Sequence, residues 1–182
     1  MYQKRLLILC CLCFFFIIPL KASTTTSPFP PHQQYFKQSR AIFADLSPRV
    51  IRYSIVYEQF FAESGSTASA FRIGGFATLS DLAIPIGIST ISKRGDNHLE
   101  GNFTVVPYIN NVNSAFVRDG RTDTQLFLLA GLGYRYQSTH SKWIARLMIS
   151  PFLFIDPPSS LAVAVETRFS LNFTLGIGLK LD

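Results

Sequence analysis

The sequence predicts an all-β fold: an antiparallel up-and-down transmembrane β-barrel of eight strands, following a cleaved signal peptide. Three observations predict it. The closing stretch TRFSLNFTLGIGLKLD places Phe169, Leu171, Phe173, Leu175, Ile177 and Leu179 on one face and Arg168, Ser170, Asn172, Thr174, Gly176, Gly178 and Lys180 on the other. A period of two is the signature of a strand, because successive side chains point to opposite faces. Segments of this kind recur along the chain, most of them far longer than the roughly five or six residues of an ordinary globular strand. Finally, the composition is 48% hydrophobic and 14% aromatic with seventeen Phe, yet no stretch after residue 20 is apolar for the roughly eighteen residues that a spanning helix needs. A chain this apolar that enters a bilayer without such a helix has to enter it as strands.

The first element is the leader. MYQKR is a short basic region, and LLILCCLCFFFIIPL is a fifteen-residue apolar run, too short and wrongly flanked for a stable anchor. Residues 1–22 are expected to be a secretory signal peptide cleaved after Ala22. Cys10, Cys11 and Cys13 all lie inside it, so the exported chain would hold no disulfide, thiolate nucleophile or thiolate metal site. Removing Lys4, Arg5 and Lys21 from the seventeen basic residues leaves fourteen against eleven acidic, a net charge of +3. That charge is mild and scattered, so no nucleic-acid partner is expected.

Residues 23–40, rich in Ser, Thr and Pro (STTTSPFPPHQQYFKQS), read as a flexible lead-in. Residues 41–182 form the barrel domain. Its expected strands are Ala41–Leu46, Val50–Phe61, Ser69–Leu79, Leu82–Ile91, Leu99–Ile109, Thr124–Tyr136, Lys142–Ile155 and Thr167–Lys180. Most are ten to fourteen residues long, which suits a tilted strand crossing a hydrocarbon layer. Between them lie Gly, Asp, Asn and Pro turns of the kind that join antiparallel neighbours.

Sorted by face, the strands invert the soluble pattern. One face carries Tyr53, Ile55, Phe71, Ile73, Ile86, Ile88, Phe103, Leu132, Tyr134, Trp143, Leu147, Ile149 and the closing aliphatic row. The other carries Arg52, Ser54, Glu58, Arg72, Gly74, Glu100, Asn102, Gly131, Gly133, Arg135, Arg146, Arg168 and Asn172. A soluble ligand-carrying barrel would put the charges outside and the apolar side chains in its middle. Here the charges share their face with the glycines, which suits the crowded inside of a small barrel. In hydrocarbon every backbone group must be paired, so the sheet has to close on itself. Loop parity points to eight strands: the two longest connections, around residues 110–123 and 156–166, become the fifth and seventh and leave from the same end.

IRYSIVYEQFF, LAIPIGIS, LEGNFTVVPYI and LFLLAGLGYRYQ followed by WIARLMISPFLF together resemble the successive strands of small outer-membrane β-barrel proteins of Gram-negative bacteria, the eight-stranded OmpA-like transmembrane barrels. The resemblance spans residues 41 to 182 in order. It implies an integral outer-membrane location, contact with outer-membrane lipid, insertion by the barrel-assembly machinery, and a monomer. Such chains commonly end in an aromatic residue, whereas this one ends in Leu181 and Asp182.

Eight strands enclose a space just wide enough for side chains to fill. Arg52, Arg72, Arg135, Arg146 and Arg168 are therefore expected to pair with Glu58 and Glu100 across the lumen, since unpaired charges there would cost several kcal/mol each. The expected function is a small integral outer-membrane barrel with a plugged polar lumen and a structural or surface-interaction role, with the loops at 110–123 and 156–166 open to an extracellular ligand. A narrow pore for ions or small solutes is the first alternative, and a membrane-embedded lipid-modifying enzyme the second.

Neither catalysis nor a cofactor is expected. His32 lies in the lead-in, and His98 and His140 read as solvated histidines at even-numbered turns, away from the outer leaflet that a lipid-modifying Ser-His-acid site would attack. GLGYRY lacks the third glycine and the helix of a dinucleotide site. The sequons at Asn102 and Asn172 fall mid-strand, and the basic Arg118 and Arg121 near Asp119 and Asp123 argue against a cation site.

Overall fold

In the computed structural model, residues 39–92, 95–110, 123–156 and 166–181 are described. They contain β1 (Arg40–Leu46), β2 (Tyr53–Ser64), β3 (Thr67–Ala77), β4 (Leu82–Ala83), β5 (Ile86–Ser92), β6 (Asn97–Asn110), β7 (Asp123–Gln137), β8 (Trp143–Asp156) and β9 (Glu166–Leu181), and no helix. Every pairing is antiparallel between chain neighbours, and β1 closes the sheet against β9. β4 and β5 hold the same register against β3 on one side and β6 on the other. They are two halves of one stave, interrupted because Pro85 has no N–H to give the ladder and Ile84 stands across from Pro107, which has none either. The fold is thus a closed, up-and-down barrel of eight staves.

The register fixes the barrel's shape. A walk across the wall from Arg40 passes Gln59, Phe71, Ile88, Phe103 and Ala130, then Pro151 and Leu171, and so reaches β9 ten residues before Leu181, with which Arg40 itself pairs. A stagger of that size over eight staves corresponds to strands tilted by about 40° and an interior that side chains fill.

At the end where β1 begins and β9 finishes, the hairpin between β2 and β3 is tight. Ser64 pairs directly with Thr67, and Gly65 sits at φ 50, the left-handed conformation that a two-residue hairpin needs. At the opposite end, residues 47–52 and 78–81 form turns, while 111–122 and 157–165 lie outside the described residues. The first of these turns corrects the expected start of the second strand at Val50. Val50 and Ile51 alternate like strand residues, but they belong to the connection, which folds inward and buries both side chains.

The interior is layered. Nearest the termini, Ala41, Phe43, Val56 and Ile144 form one apolar cluster, and Phe60, Ala68, Ala70 and Ile91 form another. At the loop end, Val50 and Ile51 pack with Phe76, Val106, Phe127, Leu129 and Phe152. Between these layers the buried side chains are, Met148 apart, polar and charged. The outer face is the reverse: among the described residues, the large hydrophobics of every stave, from Ile42 on β1 to Leu181 on β9, are exposed.

Glycines on the inner wall make this filling possible. A Cβ on Gly133 would overlap the Leu147 carbonyl oxygen and lie 2.5 Å from Met148 Sδ and 2.8 Å from Met148 Cα. Backbone cannot retreat as a flexible side-chain end can, so Gly133→Val is expected to lower unfolding stability in detergent by about 3 kcal/mol or more. Gly75 has nothing within 4 Å of such a Cβ, and Gly75→Ala is expected to change it by no more than about 0.5 kcal/mol. Urea titration of the two variants side by side checks the contrast, and equal losses would refute the tight inner wall.

Candidate functional site: the charged layer of the lumen

The most distinctive chemistry among the described residues lies across the middle of the barrel, where six ionised side chains from six strands meet. Asp45 comes from β1, Glu58 from β2, Arg72 from β3, Glu100 from β6, Arg135 from β7 and Arg146 from β8 (strand pairings place all six on the inward face). Each arrives by the alternation of its own strand, and each is buried. Three guanidinium groups therefore face three carboxylates in a space shielded from water, and the layer sums to zero charge.

The contacts form one connected network. Arg146 grips Asp45 with two donors, Nε to Oδ1 at 3.1 Å and Nη2 to Oδ2 at 2.5 Å, the bidentate geometry that a planar guanidinium favours. Arg135 Nη1 donates to Glu58 Oε1 at 2.6 Å, while its Nε donates to Gln137 Oε1 at 2.8 Å. Arg72 sits between the acids, 3.4 Å from both Asp45 and Glu100 and 3.7 Å from Glu58. Arg146 and Arg135 complete the ring with approaches of 3.6 to 3.7 Å to Glu58 and Glu100. Ser89 Oγ donates to Glu58 Oε2 at 3.3 Å.

Shape supports the charges. The Phe43 ring lies 3.8 Å below the Arg146 guanidinium and 5.1 Å from that of Arg135, and Phe60 lies 5.5 Å from Arg135. These contacts give the cations a π face where no carboxylate reaches. Gly176 leaves the gap that the pair uses, since a Cβ there would overlap Asp45 and stand 2.7 Å from Arg146 Nε.

Of the residues expected in the lumen, Glu58, Arg72, Glu100, Arg135 and Arg146 are brought together. Arg52 and Arg168 are not: both are exposed at the loop end. Arg52 has inward parity but precedes β2, where the chain is still turning. Arg168 has inward parity too, but lies so close to the open end of β9 that it reaches solvent. The sequence reading also missed Asp45. Its signal is the alternation of Ala41, Phe43 and Asp45 against Ile42, Ala44 and Leu46, which is weak in a strand of seven residues.

The histidines are split. His140 is exposed in its turn, whereas His98 is no solvated turn residue: β6 begins at Asn97, so His98 is its first inward position, buried, with Nδ1 against the Ser92 carbonyl. Asn102 and Asn172 face inward, and Arg118, Asp119 and Arg121 lie outside the described residues. Among the described residues no cluster of His, Cys, Asp and Glu could hold a metal ion. The layer's chemistry is ion pairing, and it fills the bore.

Balance makes the layer sensitive to any single loss. Glu58→Gln or Arg146→Met would leave one buried charge without a counter-charge, at an expected cost of about 3 to 5 kcal/mol. Arg52→Ala and Arg168→Ala, at exposed positions, should each cost below about 1 kcal/mol. The four unfolding midpoints in detergent decide this, and similar values for all four would mean that the layer is not a closed network. No match to this chain was found among protein-family models, curated proteins or solved structures.

Proposed function

We propose that this protein is an integral outer-membrane β-barrel with a plugged lumen and a structural or surface-interaction role. The observation that carries the reading is the pair of faces: ion pairs inside and, outside, a wall that is apolar on most staves, with Gln59, Ser69 and Thr90 as outward polar positions. On β9 every outward position from Phe169 to Leu181 is Phe, Leu or Ile. Twelve residue steps at about 3.3 Å, tilted by about 40°, project to about 30 Å, which is the thickness of a bilayer's hydrocarbon core. Exposed Tyr134, Tyr136 and Trp143 gather toward the end where β1 begins and β9 finishes, where an interfacial aromatic girdle would sit. That end faces the periplasm in this reading, after export through the signal peptide and insertion by the assembly machinery. The opposite end faces outward.

The reading assigns no catalysis, cofactor or metal. A conducting pore is disfavoured by the charged layer and by the apolar packing on both sides of it. Any extracellular ligand would meet residues 110–123 and 156–166, which lie largely outside the described residues.

Leu175→Arg tests the reading. Leu175 is half exposed in the middle of the apolar band, so an arginine there should cost about 2 to 4 kcal/mol in a lipid bilayer and reduce insertion into liposomes. A soluble barrel would accept the same change on its surface without loss. Planar-bilayer recording of the wild type should give flat traces, and steady single-channel steps would overturn the plugged lumen.

A further inference from the structure

Directly above the charged layer lies a chamber of about 70 Å³. Its polar lining includes Ser54, Asn102, Thr104, Ser150, Asn172 and Thr174, and Asp45, Arg72 and Arg146 form its floor. Val56, Val106, Leu129 and Met148 line it as well, and a space of this size with several hydroxyls and amides on an otherwise apolar wall has room for a few water molecules or a solute of similar bulk. Val50 and Ile51 of the first connection line it from the loop end, and both are buried.

This cover differs from the floor in how it is held. Within the Ser47–Arg52 turn the backbone makes one hydrogen bond, from Ser47 N to the Arg52 carbonyl at 3.0 Å. Ser47 Oγ donates to Asn172 Oδ1 at 2.9 Å, and Arg49 Nη1 donates to Ser170 Oγ at 2.9 Å and to the Leu171 carbonyl at 3.2 Å. Those side-chain ties all run to β9, and the two from Arg49 are exposed. A short turn held in this way opens at lower free energy than a laddered wall or a ring of buried ion pairs.

We propose that the chamber is a binding site for small uncharged hydrogen-bonding solutes and that the Ser47–Arg52 connection is the cork that admits them from the loop end. The class follows from the floor. Asp45, Arg72 and Arg146 belong to the layer beneath, in which three guanidinium groups already balance three carboxylates, so a guest with net charge would enter without a counter-charge, whereas a neutral guest meets hydroxyls and amides that can donate and accept. The proposal requires only the closed barrel, not the membrane around it.

Thiol accessibility tests it in the full chain with Cys10, Cys11 and Cys13 replaced by Ser and Ser150→Cys introduced. Three methanethiosulfonates of similar size serve as probes: hydroxyethyl (neutral), sulfonatoethyl (anionic) and trimethylammonioethyl (cationic). In each, the Cys thiolate displaces methanesulfinate and forms a mixed disulfide. With the native connection all three should react slowly. With Val50→Ser and Ile51→Ser together, the rate for the neutral probe should rise on the order of a hundredfold and exceed both charged probes by about tenfold.

Arg49→Ala, which removes only the exposed ties, should give a smaller rise in the same order and serves if the double variant fails to fold. Thr174→Cys provides a second position in the chamber. Equal rates with native and loosened connections, equal rates for neutral and charged probes, or no reaction at either position would overturn the proposal. Because the reaction is read on folded barrel in detergent, its outcome is separate from insertion into lipid.

Discussion

A closed barrel of eight staves cannot hold an unbalanced charge in its bore, and that constraint organises the rest of this structure. Asp45, Glu58 and Glu100 meet Arg72, Arg135 and Arg146 with no guanidinium left over. Burying such groups is costly, and the attraction between them offsets the cost only when the geometry is good and every member is present. The short first strand is therefore essential: it delivers Asp45, the acid that Arg146 grips with two donors, and Phe43, the ring beneath both cations. The inner-wall glycines follow from the same requirement, because Cβ atoms at Gly176 or Gly131 would occupy the space taken by Asp45 and Arg146 or by Asn102 and Ser150.

The same closure settles the wall. With β1 paired to β9 there is no free edge, and the backbone's hydrogen bonds are satisfied within the sheet. The side chains outside then need only suit their surroundings, and on β9 they are apolar over a height of about 30 Å. Polar inside and apolar outside is the arrangement a bilayer selects and water does not. A plugged bore directs attention away from transport through the barrel and toward its outer surface, its loop end and the chamber under the first connection.

Much of this was legible in the sequence, for reasons that differ from element to element. β9 declares itself because fourteen consecutive residues, Arg168 to Leu181, alternate without interruption, and the fourth stave could be read through Pro85 because its apolar alternation continues across the break. The inward face was legible wherever a charge stood in the middle of a long strand, as at Glu58 or Arg146. It misled at strand ends, where parity still holds but the chain leaves the barrel, so Arg52 and Arg168 seemed to belong inside. Val50 and Ile51 carry a strand's residue types into a turn, because a turn that folds into the bore needs apolar side chains as much as a wall does. The three-to-three balance was hidden because it depends on contacts between residues as far apart as Asp45 and Arg146, which no local pattern encodes.

Trp143, the only tryptophan, provides the most direct test. It stands 60% exposed on the outer face at the start of β8, where the account places the edge of the hydrocarbon. Its fluorescence should be measured in liposomes whose acyl chains carry bromine at graded depths. A barrel seated in the bilayer gives strong quenching, greatest with bromine nearest the headgroups. Water-like emission that no brominated lipid quenches would contradict it and place this face of the barrel in solution.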